Sequence, residues 1–288
     1  MQNKTLSPKE MALLIGASES SLKRWIDTGK LPAHKTRGGH RRISVPDAVD
    51  FIRTHRMSVE RPDLLGLTLD PTLNGLASRE NLGAVFEHYL LEGRQEESYS
   101  LILSEYLSGV SVAEVCDRYI QPALSRIGAI WAHDSYGIVL EHRATDLCLR
   151  ILNQIRGILP PVPGPIRGIG CAPAGDPYVL PSLCAAVSLE SIGVGVTNLG
   201  PNLPFSSILE ATENLSPGFV WLSISHVENP VAFQSEFAEF CGRLGLKSLP
   251  LIVGGYGLAK VTIPENPLVW IGSSMSDLIS IGDRLPSC

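Results

Sequence analysis

Basic residues surround a pair of adjacent glycines near the N-terminus, and they are the first group in the sequence that could do chemistry. Gly38-Gly39 permits the tight turn of a β-hairpin. Ammonium and guanidinium groups on both arms of such a hairpin are suited to contact nucleic-acid phosphates. The basic side chains are Lys35, Arg37, His40, Arg41 and Arg42. We therefore predict that this segment contacts the backbone or the minor groove of double-stranded DNA.

A helix-turn-helix would position this hairpin on DNA, and residues 7–27 have that pattern. Ser7-Pro8-Lys9-Glu10 is a capping box with proline at the first helical position. Ser18 can cap a second helix, whose N-terminal residues would enter the major groove near base edges. The outer face of this second helix offers Ser20, Lys23 and Arg24. We predict that these three side chains contact the groove.

The distribution of charge points to the same region. Residues 1–57 hold 11 Lys and Arg against 5 Asp and Glu, a balance of +6, whereas the remaining residues hold 13 against 24, a balance of −11. A small basic module on a large acidic body suggests that only the N-terminal region meets a polyanion. Composition alone leaves open the alternative of a merely solvated basic face.

The rest of the chain predicts two further architectures. Four apolar patterns with helical spacing between residues 74 and 160 predict a four-helix bundle. Short apolar runs then alternate with helical patterns, which predicts a doubly wound parallel sheet. We therefore expect a multidomain α and α/β protein with a winged helix-turn-helix at 1–57, a linker at 58–73, the bundle at 74–160 and the sheet domain at 161–288.

Ligands of doubly wound sheets bind beyond the carboxyl ends of the strands. Gly254-Gly255 follows one predicted strand and would let a ligand approach the backbone closely; a glycine turn without a ligand is the alternative. The loops expected at this edge are residues 172–178, 199–204, 223–228 and 254–258.

Composition excludes several classes of protein. With 44% apolar and 18% charged residues, the 288-residue chain is neither collagen-like nor wholly disordered, and it has room for roughly two domains. No apolar run reaches the ~18–20 residues of a membrane span, and the N-terminus lacks an apolar signal core. Six dispersed cysteines without a CxxC motif indicate buried thiols. We expect a cytoplasmic protein that does not bind membranes.

Residues 5–55 resemble the winged-helix DNA-binding domain of the MerR family, in the excisionase-like variant ending in Gly-Gly-His-Arg-Arg. The resemblance rests on the phasing of the helices, on Trp25, on a proline and on the basic wing. It implies binding to a double-stranded DNA operator. A module of this size binds weakly, so useful specificity requires assemblies on repeated half-sites. We therefore expect a homo-oligomer, either a dimer or a tetramer.

Trp131 is followed ten residues later by Glu141-His142. This spacing resembles the helical cap of CarH/LitR-type cobalamin photoreceptor repressors. The resemblance implies that the bundle covers the upper face of adenosylcobalamin and that these three side chains line the pocket. Photoreceptor members carry a histidine directly after the tryptophan, whereas this chain has Ala132 there and His133 one position later. Core packing of the tryptophan and a solvated Glu-His pair are the alternatives.

Residues 161–288 resemble a cobalamin-binding domain of the flavodoxin-like type. The signatures are Leu-Gly-Pro-Asn-Leu-Pro at 199–204, Leu-Ser-Ile-Ser at 222–225 and Val-Gly-Gly at 253–255. The resemblance implies cofactor contacts from Asp176, Tyr178, Ser223, Ser225, Gly254 and Gly255.

One motif departs from the family. The loop after the first strand has Tyr178 where the family has its cobalt-ligating histidine and Pro181 where it has a glycine. A phenol oxygen is a hard donor and a poor substitute for imidazole at cobalt. We therefore predict that Tyr178 is not a normal lower ligand; a nitrogen-ligated spectrum would indicate another donor, such as His226 or the cofactor's own base.

Three hypotheses about function follow. The first is a transcriptional regulator, by resemblance a repressor, that senses light through adenosylcobalamin bound between the bundle and the sheet domain. The second keeps the regulator but replaces cobalamin by another tetrapyrrole or by no cofactor. The third is the corrinoid carrier protein of an enzyme, which the DNA-binding module and the missing lower histidine disfavour. We see no nucleophile–base pair or metal-ligand cluster elsewhere, so we do not expect an enzyme.

Overall fold

The structure is a computed structural model that describes residues 4–66, 81–131, 136–162, 164–165 and 167–284. Its internal contacts divide the chain into two compact units. The first unit comprises residues 1–111 and 118–160, and the second comprises residues 112–117 and 161–288. A continuous helical segment that starts at Val112 therefore contributes residues to both units.

The first unit begins with a winged helix-turn-helix, as predicted. Its helices are α1 (Pro8–Leu14), α2 (Glu19–Asp27) and α3 (Val45–Thr54), and its strands are β1 (Thr5–Leu6), β2 (His34–Lys35) and β3 (Arg41–Ser44). The strands form antiparallel pairs in the order β1-β3-β2, and β3 leads directly into α3. Leu22 of α2, Ile43 of β3 and Ile52 of α3 are fully buried and form the core of this module.

A short turn extends the winged helix-turn-helix beyond α3. The N–H of Glu60 donates to the carbonyl of Leu14 at 2.8 Å, and a 3₁₀ helix follows at Pro62–Leu65. Leu65 is buried. The chain after α3 therefore packs on the end of α1 before it reaches the residues outside the described part.

In the described part of the chain, four helical segments form a bundle, most of which belongs to the first unit. The segment from Val112 to Trp131 consists of α6 (Val112–Val115), a π-helical turn (Cys116–Ile120) and α7 (Gln121–Trp131). The other helices are α4 (Leu82–Glu92), α5 (Gln95–Leu107) and α8 (Gly137–Arg156). Helix α4 packs against α5, α7 and α8, and α8 also packs against α5 and α7. The prediction of a four-helix bundle is thus confirmed, because the apolar residues at helical spacing face inward.

The second unit is a five-stranded parallel sheet with helices on both faces, which confirms the predicted architecture. The strands are β4 (Gly168–Cys171), β5 (Val196–Asn198), β6 (Phe219–Ser223), β7 (Leu251–Gly254) and β8 (Val269–Ile271). The helices are α9 (Leu180–Ser191), α10 (Phe205–Leu215), α11 (Pro230–Leu246) and α12 (Met275–Arg284). The strand order is β5-β4-β6-β7-β8. From β4 the chain continues to β5 on one side, and from β6 it continues to β7 and β8 on the other side. The topological switch point, at which the direction of strand addition reverses, therefore lies between β4 and β6.

Two apolar cores cover the faces of this sheet. Helices α10 and α11 supply one core, and α9 and α12 supply the other. A Cβ atom at Gly170 would overlap the indole of the buried Trp221, so the glycine in β4 makes room for that ring on β6. The two faces are therefore filled by the protein's own side chains.

Helix α6 packs on α9 and α12 within the second unit. The Asp117 carboxylate, just after α6, accepts the N–H groups of Met275 at 2.8 Å and Ser276 at 3.0 Å. It therefore caps the start of α12, where the first N–H groups of a helix lack intrahelical acceptors.

The five cysteines among the described residues are free and buried, which confirms the prediction of buried thiols for them. Burial raises the pKa of Cys171 and of Cys241 to about 12, so neither is a thiolate at neutral pH. Within the described ranges, no helix has both the length and the apolar character that crossing a bilayer requires.

Candidate nucleic-acid interface and ligand site

Helix α2 presents its polar face to solvent, as a recognition helix must. The Ser18 hydroxyl accepts the N–H of Ser21 at 3.2 Å and caps the helix. Leu22 points into the core, and Trp25 packs on Phe51 of α3 with ring centroids 5.2 Å apart. The predicted groove residues Ser20, Lys23 and Arg24 are all exposed. The structure thus brings these three side chains to one accessible helix face.

The basic wing is an exposed hairpin. Lys35 pairs with Arg41 and His34 pairs with Arg42 across the two strands, and Gly39 turns the chain with a φ of 78°. That φ favours glycine because a Cβ atom is strained there. Lys35, Arg37 and His40 are exposed, whereas Arg41 and Arg42 are half-buried.

Carboxylates pair with the two arginines of β3, and no local sequence pattern predicts these pairs. Arg41 Nη2 donates to Asp27 Oδ1 at 2.5 Å, and Arg42 Nη1 lies 3.7 Å from Glu10 Oε2. Asp27 is the last residue of α2, so the first pair ties the wing to the recognition helix. Arg41 and Arg42 thus each have a carboxylate partner within the fold.

The capping box at the start of α1 forms as predicted and orients Glu10. The Ser7 N–H donates to Glu10 Oε2 at 2.7 Å, and the Ser7 hydroxyl accepts the N–H of Glu10 at 3.2 Å. The Ser7 N–H is the main cause that lowers the pKa of Glu10, followed by the Ser7 hydroxyl and, more weakly, the charge of Arg42. The carboxylate is therefore charged at neutral pH and faces the wing.

The Trp-x9-Glu-His motif lies at one end of the bundle. Trp131 is the last residue of α7, and Glu141 and His142 lie in the second turn of α8, which packs on α7. Glu141 Oε2 is 3.6 Å from His142 Nε2, and the side chain of His142 is 75% exposed. The side chain of Trp131, together with Ala132 and His133, lies outside the described part of the chain. Their predicted roles remain predictions.

Exposed apolar side chains surround this end of the bundle. Tyr136, Ile138 and Val139, at the start of α8, are between 43% and 56% exposed. These three side chains give the start of α8 an apolar surface.

Asp176, in the loop after β4, is fully buried with an exposure of 0%. Its Oδ1 accepts the N–H of Tyr178 at 3.1 Å. Its Oδ2 accepts the N–H groups of Ser225 at 2.5 Å and His226 at 3.0 Å. One carboxylate therefore ties together the loops that leave β4 and β6, and both of its oxygens are engaged by backbone. Asp176 therefore lies at the carboxyl edge of the sheet, where its hydrogen bonds stabilise these two loops.

The glycines and serines of the predicted site lie at the same edge but are closely packed. A Cβ atom at Gly255 would overlap the carbonyl of Ile224, and one at Gly254 would come within 2.9 Å of the Gly272 carbonyl. Their lack of a side chain is thus required by neighbouring backbone. Ser223 is buried, and Ser225 is half-buried and engaged through its N–H with Asp176.

Tyr178 reaches the surface beside these loops. Its side chain is 49% exposed, and those of Val179 and Tyr256 are 42% and 72% exposed. Tyr178 and Val179 follow β4 and Tyr256 follows β7, so all three lie at the carboxyl edge of the sheet. Pro181 lies in the first turn of α9, where a missing N–H has no cost.

A helix-turn-helix domain family matches residues 5–56 of this chain. The HTH-type transcriptional repressor CarH of Myxococcus xanthus is 25% identical over 177 residues, which cover 62% of this chain. The match spans 57% of the length of that curated relative.

Solved structures give a likeness of fold. The Methanosarcina barkeri monomethylamine corrinoid protein aligns with a TM-score of 0.51 and 11% identity, covering 71% of this chain and 98% of that chain. A cobalamin-binding protein from Desulfitobacterium hafniense DCB-2 aligns with a TM-score of 0.35 and 16% identity, covering 72% of this chain and 98% of that chain. The first likeness supports a shared fold.

Proposed function

We propose that this protein is a DNA-binding transcriptional regulator, a repressor, whose α/β unit binds a corrinoid as its signal. The observation that carries the proposal is the presence, in one chain, of an exposed basic winged helix-turn-helix and a parallel sheet with a ligand-type switch point. The similarity to a transcriptional repressor supports the regulatory part. No catalytic step is assigned to the protein.

The proposed DNA contacts divide between base edges and phosphates. Ser20, Lys23 and Arg24 lie on the exposed face of α2 and suit the major groove. Lys35 and Arg37 on the wing suit phosphates or the minor groove. We propose that a dimer or tetramer binds repeated half-sites of a double-stranded operator, because one module of this size binds too weakly for useful specificity.

The side chains at the carboxyl edge of the sheet are the basis on which we propose a tetrapyrrole there. Among the described residues, no cluster of three or more His, Cys, Asp or Glu could hold a metal. A tetrapyrrole supplies four nitrogens of its own and leaves only axial positions to the protein. Exposed Tyr178, Val179 and Tyr256 offer apolar surface to its plane. The residues present therefore fit a tetrapyrrole, with Tyr178 itself a poor donor to cobalt.

For the finer identity we propose adenosylcobalamin, with light as the signal. The support is the Trp131, Glu141 and His142 motif, for which we propose contacts with the adenosyl side of the ligand. The experiment titrates the purified full-length protein with adenosylcobalamin in darkness, and records absorbance, molecular mass and operator binding before and after green light. We expect bound corrinoid bands in darkness, and a change in mass and in DNA binding after light.

A tryptophan substitution tests the motif separately. Trp131→Ala should weaken binding of adenosylcobalamin in darkness, because it removes an aromatic surface, whereas His133→Ala should change little. If Trp131→Ala binds adenosylcobalamin, other corrinoids and haem as tightly as the wild type, the motif is core packing and the adenosyl assignment is wrong.

A regulator that works without cobalamin is the second candidate, and one observation favours it. Both oxygens of Asp176 are satisfied by backbone N–H groups, so the acid of the family's motif has a structural role that needs no cofactor. Specific DNA binding by a protein that takes up no corrinoid would select this candidate, and uptake of haem instead would select another tetrapyrrole. Corrinoid uptake without any DNA binding would select a carrier protein.

A further inference from the structure

The loop after β6 carries the one histidine of the second unit. His226 is the only histidine after residue 142 in the sequence, so no other imidazole belongs to the α/β unit. It lies three residues beyond the end of β6, directly at the switch point, and it is exposed. Ligands of doubly wound sheets bind at this place.

Asp176 fixes the position of this histidine. The same buried carboxylate accepts the N–H of His226 at 3.0 Å on one oxygen and the N–H of Tyr178 at 3.1 Å on the other. Strands β4 and β6 are adjacent and pair in register, so the loops that follow them are neighbours. The backbone of His226 is thus anchored beside the backbone of Tyr178. Position 178 is where the resembling family has its cobalt-ligating histidine.

A second set of contacts holds the loop just before His226. The Ile224 N–H donates to the Gly254 carbonyl at 2.7 Å, and the Ile224 carbonyl accepts the N–H of Gly257 at 2.8 Å. Gly255 passes so close to that carbonyl that only glycine fits. The loop is therefore built before any ligand arrives, and a ligand that uses it would not bear the cost of ordering its backbone.

We propose that the imidazole of His226 is the axial nitrogen donor to the metal of a tetrapyrrole bound at this switch point, in place of a ligand at position 178. Imidazole is a good donor to transition metals, whereas the phenol of Tyr178 is a hard oxygen donor. The inference rests on the proposed function for the presence of a corrinoid and goes beyond it by naming the donor. The Asp176 carboxylate acts as the positioning group that holds both loops.

Cobinamide tests this, because it is a corrinoid that lacks the nucleotide base and so brings no nitrogen ligand of its own. The full-length protein is loaded with cobinamide, reduced to the cobalt(II) state and examined by electron paramagnetic resonance. One bound imidazole nitrogen splits each resolved cobalt line into a triplet. We expect the triplet in the wild type and in Tyr178→Phe, its loss in His226→Ala, and its return when free imidazole is added to His226→Ala.

The outcomes separate the inference from the proposed function. A triplet that persists in His226→Ala, or a wild type that binds cobinamide without a triplet, overturns the role of His226 and leaves corrinoid binding standing. A wild type that shows no absorbance change with cobinamide or adenosylcobalamin overturns the corrinoid proposal itself. Circular dichroism of His226→Ala without corrinoid establishes that the variant is folded; because the side chain is exposed, we expect the spectrum to match that of the wild type.

Discussion

In the wing, Lys35 and Arg37 project into water, while at the switch point the Asp176 carboxylate is completely enclosed and bonded to three backbone N–H groups. An exposed charge keeps its hydration until a partner replaces it, so it is available for recognition. A buried charge must be satisfied within the fold, so it is committed to structure. A charged residue in a recognised motif can therefore either contact the ligand itself or stabilise the loop that contacts it.

The largest effect is expected from removing the buried charge. Asp176→Ala leaves the N–H groups of Tyr178, Ser225 and His226 without their acceptor, and should lower the free energy of unfolding by roughly 3 kcal/mol. Urea unfolding, followed by circular dichroism, measures this change. Asp277→Asn is the control, because that carboxylate is exposed and accepts the N–H of Ser273 at 3.0 Å.

A small effect of Asp176→Ala would contradict the comparison. If the unfolding midpoint of this variant equals that of Asp277→Asn, the carboxylate is not committed to the loops. Its role at a bound ligand would then need to be reconsidered.

Two double variants of the wing compare exposed with paired cations. Lys35→Ala/Arg37→Ala and Arg41→Ala/Arg42→Ala each remove two positive charges from the same hairpin. If Lys35 and Arg37 contact phosphate, the first should flatten the slope of log affinity against log salt concentration by about two units. The second should flatten it less, because Arg41 and Arg42 are engaged by Asp27 and Glu10.

Fluorescence anisotropy of labelled operator DNA at several salt concentrations measures both slopes. Equal flattening by the two double variants would mean that DNA displaces the carboxylates and that all four cations contact phosphate. Unchanged slopes in both would place the DNA contacts outside the wing.

The smallest effect concerns the capping box that orients Glu10 toward Arg42. Ser7→Ala should cost about 1 kcal/mol of stability at pH 7. The folded pKa of Glu10 lies below its usual value, so its contribution is present above about pH 4.5 and is lost as the pH falls through the lowered folded pKa. The cost of Ser7→Ala should therefore shrink at pH 3. A cost that is equal at both pH values would mean that it comes from the lost hydroxyl cap and not from the charge of Glu10.

Local sequence patterns were sufficient for most of the fold. Ser7, Ser18 and the Gly38-Gly39 turn act within a few residues of themselves, so the start of α1, the start of α2 and the wing could be predicted. The alternation of apolar runs with helical patterns likewise predicted a doubly wound sheet. The pairs Arg41–Asp27 and Arg42–Glu10 were not predictable, because each joins residues from different elements.

By itself, the sequence determined the kinds of module, the side chains that each presents, and the absence of a histidine at position 178. Only the tertiary structure decided that Asp176 turns inward and that His226 is anchored beside Tyr178. The physical reason is that the Asp176 carboxylate accepts N–H groups from two loops that follow different strands. The pairing of β4 with β6 brings those N–H groups to the carboxylate, and local sequence spacing does not predict which strands pair.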